Sequence, residues 1–223
     1  MNAHPTPAKP SASVVVIRDG TSAIEVLMLR RNEKIAFHGG AWVFPGGRVD
    51  AADGADDELE VAKRAAVRET LEETGLEVTV EGMLPFAHWT TPVQLPKRFA
   101  TWFFVAPVTG TPEVRIDNSE IVDSAWLTPA RALEMHGRGE LELPAPTYVT
   151  LLGFSRHTGV AGLVQSVRAT PVQRFVPRLV PIEDGRCTVY QEDASYETLD
   201  FHTPGPRHRL IMAGTNWQYL RDF

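Results

Sequence analysis

Apolar positions along this chain fall into short blocks broken by glycine, proline and aspartate. "SASVVVIRDG" (Ser11–Gly20) and "AIEVLMLRR" (Ala23–Arg31) are each strand-length, and Asp19-Gly20 between them is a turn dipeptide, so they predict two strands joined by a turn. Trp42 to Phe44 predicts a further short strand, halted by Pro45-Gly46-Gly47. "AADGADD" is a polar loop. The segment from Asp57 to Thr74 is rich in Glu, Ala, Lys, Arg and Leu, lacks proline and is followed by Gly75, which predicts a helix with glycine at its C-terminal cap.

"LEVTVEGMLPFAHWTTP" and "RFATWFFVAPV" predict two more strands, the second apolar enough to be central. "IVDSAWL" predicts a short strand, and "TPARALEMHGRG" opens on threonine and proline, a helix start. "PAPTYVTLLGFSRH" and "GVAGLVQSVRA" predict a helical pair. A hairpin around Asp184-Gly185 and a last strand pair in "PRHRLIMAGTNWQYL" close the chain. This order is mixed α/β (α+β) and lacks the βαβα alternation of a doubly wound fold. It divides into a disordered leader (1–11), a core (12–140) and a C-terminal extension (141–223) of a helical pair and a β-rich tail packed on the core.

Composition narrows the function classes. The 223 residues carry a formal net charge of −6 and show no basic stripe, which argues against a nucleic-acid partner. A single cysteine, Cys187, excludes an internal disulfide framework and a Cys-rich zinc site, and reads as a half-buried apolar residue. The opening "MNAHPTPAKPSAS" has no apolar signal core, and no apolar run approaches the roughly 18 residues of a membrane span. A cytoplasmic protein with no membrane partner is expected.

The chemistry concentrates in "RETLEETGL" (Arg68–Leu76). At about 100° per residue, Glu69, Glu72 and Glu73 share a helix arc of roughly 100°. Like charges at such spacings repel by a few tenths of a kcal/mol per pair. Neither Lys nor Arg stands four residues after any of them. Ala62, Ala65 and Ala66 lie on the same side, whereas Leu59, Val67, Thr70 and Leu71 lie more toward the other, where they are expected to pack on the core. A solvated acidic face is the plain alternative. Clustered carboxylates without basic partners suit a hard divalent cation, however, and Mg²⁺ usually works on phosphate-bearing substrates.

These residues resemble the Nudix box, Gly-x5-Glu-x7-Arg-Glu-U-x-Glu-Glu-x-Gly-U with U a bulky aliphatic. Gly54, Glu60, Arg68, Glu69, Glu72, Glu73, Gly75 and Leu76 match it, and Thr70 departs from it. In most relatives the glycine belongs to a Phe-Pro-Gly-Gly turn, here Phe44 to Gly47, so Gly47 is the equivalent glycine and seven extra residues precede Glu60. The resemblance covers residues 12 to about 135. It implies a mixed sheet sandwiched between helices, and hydrolysis of a small-molecule diphosphate with Mg²⁺ or Mn²⁺. It also implies Glu69, Glu72 and Glu73 as metal ligands, helped by the Gly46-Gly47 backbone, and Arg68 as an orienting residue paired with a box glutamate. Glu73 or Glu120 would be the proton acceptor.

"LMLRRNEKIAFHGGAWVFPGGRVD" also resembles the coenzyme A diphosphatase motif at Arg30 or Arg31, His38, Gly40, Arg48 and Asp50. The Leu-Arg pair expected before the histidine is replaced by Ala36 and Phe37, and the chain ends "RDF", without the peroxisomal signal of the animal branch it resembles. Arg48, His38, Lys97 and Arg98 are the candidate substrate contacts. Trp89 and Trp102 are read as core aromatics in preference to base-stacking platforms. ADP-ribose, dinucleotides or other nucleotides stay open as substrates, as does a silent ligand-sensing domain. Many relatives dimerise, which leaves a homodimer open.

Overall fold

The computed structural model describes residues 6–35 and 37–223. Its central eight-stranded sheet has the order β3-β2-β1-β6-β5-β8, with β4 added against β1 and β7 against β2. The strands are β1 (Lys9–Asp19), β2 (Ile24–Arg31), β3 (Trp42–Val43), β4 (Gly46–Arg48), β5 (Leu84–Thr90), β6 (Phe99–Pro107), β7 (Ile121–Leu127) and β8 (Gln173–Phe175). β1 and β6 run parallel along Lys9 to Ile17 and form the sheet's centre, which is why "WFFVA" (Trp102–Ala106) is apolar without interruption. β1 begins at Lys9, so the last residues of the expected leader are strand, while 1–5 lie outside the described residues.

Both faces of this sheet are covered, and the alternation along β1 sorts its side chains between them. Val14 and Val16 join Leu27, Leu29, Phe104 and the alanines of α1 (Glu58–Thr74). Val15 and Ile17 join Met28, Phe103 and Val105 on the opposite face. That second face packs on α2 (Pro129–Gly137), α3 (Ala145–Phe154) and α4 (Val160–Ala169). A second sheet, β9 (Arg178–Ile182), β10 (Gly185–Val189), β11 (His208–Ala213) and β12 (Asn216–Arg221), is an antiparallel meander. Its Tyr190-side core, with Leu210 and Met212, merges with Trp89 and Phe175 of the first sheet and with Leu143 before α3. Trp89 stacks on Phe175 at 3.8 Å and is core, as read from the sequence.

Two expectations need correction. Leu76 to Val80 is irregular and only Leu84 onward is strand, although Leu76 and Val78 are buried against the α1 face. The buried side of α1 is also different: Ala62, Ala65, Ala66, Thr70 and Glu73 are covered, while Leu71 is 48% exposed. Small residues let the helix come close to β1 and β4, and a leucine stripe would have held it off. Thr70 is tolerated there because its hydroxyl donates to the Ala66 carbonyl at 2.7 Å. Cys187 is fully buried, and burial pushes its thiol up to about 11, so it is inert packing.

Candidate active site

α1 starts where Asp57 caps the Leu59 N–H and ends at Gly75, in the left-handed conformation (φ 69°) that glycine adopts freely. Its C-terminal half lies against β4, and the approach is close. A methyl group on Gly47 would meet the Glu69 carboxylate at 2.3 Å, so the diglycine lets backbone and carboxylate touch. One residue earlier, the Gly46 N–H donates to Glu73 Oε2 at 2.8 Å. Glu73 is only 7% exposed and has that one donor, and burial raises its pKa to about 8, with Glu69 and Glu120 adding repulsion against the pull of Arg31. Burial also raises Glu69, offset by Arg68.

Arg68 is the hub. Its Nη1 donates to Glu69 at 2.9 Å and to Glu72 at 3.3 Å. The Glu72 contact is an i,i+4 pair with the arginine first, so the acidic run does have one basic partner. Its Nη2 reaches the Arg48 carbonyl at 3.0 Å. The opposite side of the guanidinium forks onto Asp53, Nε to Oδ1 and Nη2 to Oδ2, both at 3.0 Å. That hydrogen-bonded pair raises the Arg68 pKa and holds Asp53 below the usual carboxylate range.

Asp53 was missed as part of a polar loop, yet it carries a readable signal. Five residues separate Gly47 from Asp53, which puts Asp53 at the position where the box expects its first carboxylate. The extra residues therefore lie after this carboxylate, and Glu60 is displaced along the helix to a part-buried pair with Lys63 at 2.8 Å. The 3-10 turn Ala51–Asp53 aims the side chain, since Asp53 Oδ2 also accepts from the Asp50 N–H at 2.7 Å. Arg64 ties the inserted loop to the helix through the Asp53 carbonyl and Asp56.

The other predicted residues separate into two sets. Glu120 is exposed on the turn before β7, 3.6 Å from Arg31, and its charge reaches Glu73. His38 sits in the left-handed region (φ 55°) on the loop between β2 and β3, with an exposed edge. Crowding by neighbouring atoms, then Arg31 and Arg186, lowers it to about 4, so it is neutral at pH 7. The Arg48 and Lys97 side chains are exposed. Arg98 is engaged by the protein itself, donating to the Thr91 carbonyl at 3.1 Å and the Thr6 carbonyl at 2.6 Å, which makes it a loop anchor. Trp102 donates to Glu58 at 3.0 Å from a buried position away from the glutamates.

Among the described residues, no three His, Cys, Asp or Glu side chains as they stand converge to hold a metal ion. The donors nonetheless fit a hard cation in kind: they are all oxygens, two have raised pKa values, and one guanidinium serves Asp53, Glu69 and Glu72. No helix among the described residues is long and apolar enough to cross a membrane.

A sheet held between helices, with an arginine-centred acidic helix on a diglycine turn, defines a hydrolase of phosphoanhydrides. The NUDIX domain profile matches residues 7–145, and the chain belongs to the Nudix family as a diphosphate-hydrolysing enzyme, near the coenzyme A diphosphatase branch. It is 22% identical to an acyl-coenzyme A diphosphatase (NUDT19) of Xenopus laevis, over 75% of this chain and 70% of that one. It is 26% identical to a putative nudix hydrolase 7 of Caenorhabditis elegans, over 66% of this chain and 60% of that one. Among solved structures, a NUDIX hydrolase of Alicyclobacillus acidocaldarius superposes with a TM-score of 0.65 at 23% identity, covering 72% of this chain and 96% of that one. The NUDIX domain of Shewanella oneidensis NrtR, solved with ADP-ribose, gives 0.52 at 16%, covering 70% and 92%.

Proposed function

We propose that this enzyme is metal-dependent and splits the diphosphate linkage of coenzyme A or an acyl-coenzyme A. The observation that carries the metal half is charge imbalance: Glu73 is buried beside Glu69 with a single backbone donor, while Arg68 is already divided among three carboxylates. Mg²⁺ or Mn²⁺, held by Glu69, Glu72 and Glu73 with the Gly47 backbone beside them, supplies neutralisation of the diphosphate and a more acidic water. Arg68, braced by Asp53, keeps Glu69 and Glu72 oriented.

Glu73, with one carboxylate oxygen on the Gly46 N–H, is the candidate to accept the proton of the attacking water through the other oxygen. The water oxygen bonds to one phosphorus as the bridging P–O bond breaks, and two phosphate-bearing halves leave. Glu120, exposed and held near Arg31, is the weaker candidate for that role. Arg48, Lys97 and the neutral His38 are available to substrate oxygens. Support for the coenzyme A half is the Arg48 and Asp50 pattern after the diglycine, together with the name of the Xenopus relative. The same proposal takes the enzyme as cytoplasmic and leaves a homodimer as its assembly to be measured.

The test incubates the full chain and Glu73→Gln with Mg²⁺ or Mn²⁺ and coenzyme A, acyl-coenzyme A, ADP-ribose, NADH and nucleoside triphosphates, with products identified by mass. Metal-dependent cleavage of the coenzyme A compounds, lost in the variant, is the expected result. Cleavage of ADP-ribose or NADH instead would replace the substrate. Binding without any cleavage would favour a sensor.

A further inference from the structure

We infer that Arg186, on β10 of the C-terminal sheet, determines specificity by binding an anionic group that the substrate carries beyond its diphosphate. The inference deepens the proposed function, and it starts from where the second sheet sits. The Leu179 carbonyl on β9 accepts from Gln94 in the loop before β6, at 3.4 Å. That loop leads into Phe99, whose ring packs 5.0 Å from Phe37, itself 4.2 Å from His38. Leu179 pairs with Thr188 and Pro181 with Arg186, so Arg186 lies on β10 opposite Pro181, which is two residues along β9 from this contact. The β9–β10 hairpin is thus linked, through the loop before β6, to the β2–β3 loop that carries His38.

Charge runs along the same rim. Arg31 faces Glu120 at 3.6 Å and its charge reaches Glu73, while the charges of Arg31 and Arg186 both reach His38. Arg186 alternates with the buried Cys187 and is itself exposed.

The neighbouring arginines of the extension are engaged. Arg178 donates to the Tyr196 and Glu197 carbonyls, Arg207 to those of Thr203 and Gly205, Arg209 to Asp193, and Arg221 to Gln173. Among the described residues the Arg186 side chain makes no hydrogen bond or ion pair, and Glu183 and Asp184 at the hairpin turn do not take it. An unengaged guanidinium offers planar, paired donors that match a phosphate monoester. The substrate class is a nucleoside diphosphate derivative bearing a further phosphate, with its diphosphate at α1 and that phosphate at Arg186.

Two measurements on the full chain test this. In the first, calorimetry compares adenosine 3′,5′-bisphosphate with adenosine 5′-monophosphate on the wild type, Arg186→Gln and Arg186→Lys. The wild type should prefer the bisphosphate by about tenfold or more, the glutamine variant should close most of that gap, and lysine should keep part of it. In the second, kcat/KM for coenzyme A against 3′-dephospho-coenzyme A should show the same collapse of preference. Absence of a wild-type preference, or an equal loss on both members of each pair in Arg186→Gln, overturns the inference. Calorimetry needs no turnover, so a chain that cleaves nothing yet keeps the preference fails the hydrolase proposal alone. A chain that cleaves both coenzyme A compounds equally and binds both adenosine phosphates equally fails this inference alone.

Discussion

Two buried carboxylates, Glu73 on α1 and Asp193 in the C-terminal sheet, have opposite electrostatics. Asp193 receives Nε and Nη2 of Arg209 at 2.7 and 2.6 Å, the Ser195 N–H at 2.8 Å and the His208 N–H at 2.9 Å. Burial by itself would raise its pKa, but Arg209 and these donors hold it below the usual range. Glu73 has one donor and two acidic neighbours, and burial takes it up to about 8. Burial alone thus says nothing about role. A carboxylate whose lone pairs are all satisfied from within belongs to the fold, and one left with unanswered charge belongs to a ligand.

Removing each carboxylate separates the two roles, and this is the largest effect expected. Glu73→Gln should lower kcat by about 10²- to 10⁴-fold while leaving the denaturation midpoint at neutral pH unchanged or higher. Asp193→Asn should do the reverse, costing about 3–5 kcal/mol by leaving Arg209 buried without its partner. Urea melts and steady-state rates on both variants decide it, and a stability loss in Glu73→Gln as large as that in Asp193→Asn would erase the distinction.

Asp53 sharpens the comparison because it is satisfied like Asp193 but serves the site. Asp53→Asn keeps the shape and loses the charged fork on Arg68, so activity should fall about 10- to 100-fold, as for outer-shell partners generally. Glu60→Gln, at the position the box motif singles out, should change activity less than about twofold, since Glu60 meets only Lys63 at the surface. Equal losses in the two would restore Glu60 to the box.

The pH dependence runs in opposite directions. Glu73 has a folded pKa of about 8 against an ordinary 4.5, so the folded state holds the proton more tightly. Its contribution is present below pH 4.5 and is lost as pH rises toward 8. Asp193, with a depressed folded pKa, contributes above its ordinary 3.8, and that stability is lost as pH falls through the folded value. In chelator, the melting temperature should drop by a few degrees between pH 5 and 8, and Glu73→Gln should flatten that limb alone.

Much of this was legible in the chain. α1, its C-terminal cap, the central β6 and the C-terminal hairpins follow from periodicity and turn residues, which act locally. The acidic cluster was legible because its spacing is helical. Asp53 was obscured because the insertion moves the carboxylate away from the helix in sequence while the 3-10 turn returns it in space. Arg186 gave no signal, since the reach of its charge to His38 depends on how a distant sheet docks. The small-residue face of α1 was misassigned because hydrophobic weight favours leucine, whereas close approach to Gly47 favours alanine.

The smallest expected effect tests the rule on α1 itself. Thr70 is as buried as Glu73, one turn earlier on the same face, but its hydroxyl is satisfied by the Ala66 carbonyl. Thr70→Val restores the aliphatic that the box usually carries, removes donor and shape-matched polarity together, and leaves the Ala66 carbonyl its helical partner. Stability should therefore change by less than about 1 kcal/mol, with kcat unaffected. If satisfaction by the helix's own backbone, unlike the bonds of Asp53 to Arg68, marks a buried polar group as dispensable to the chemistry, Thr70 and Glu73 must part company in the rate assay. A Thr70→Val variant that lost activity at unchanged stability would mean that the position of the Glu73 backbone depends on that hydroxyl, and the boundary between fold and site would then run through α1, not around it.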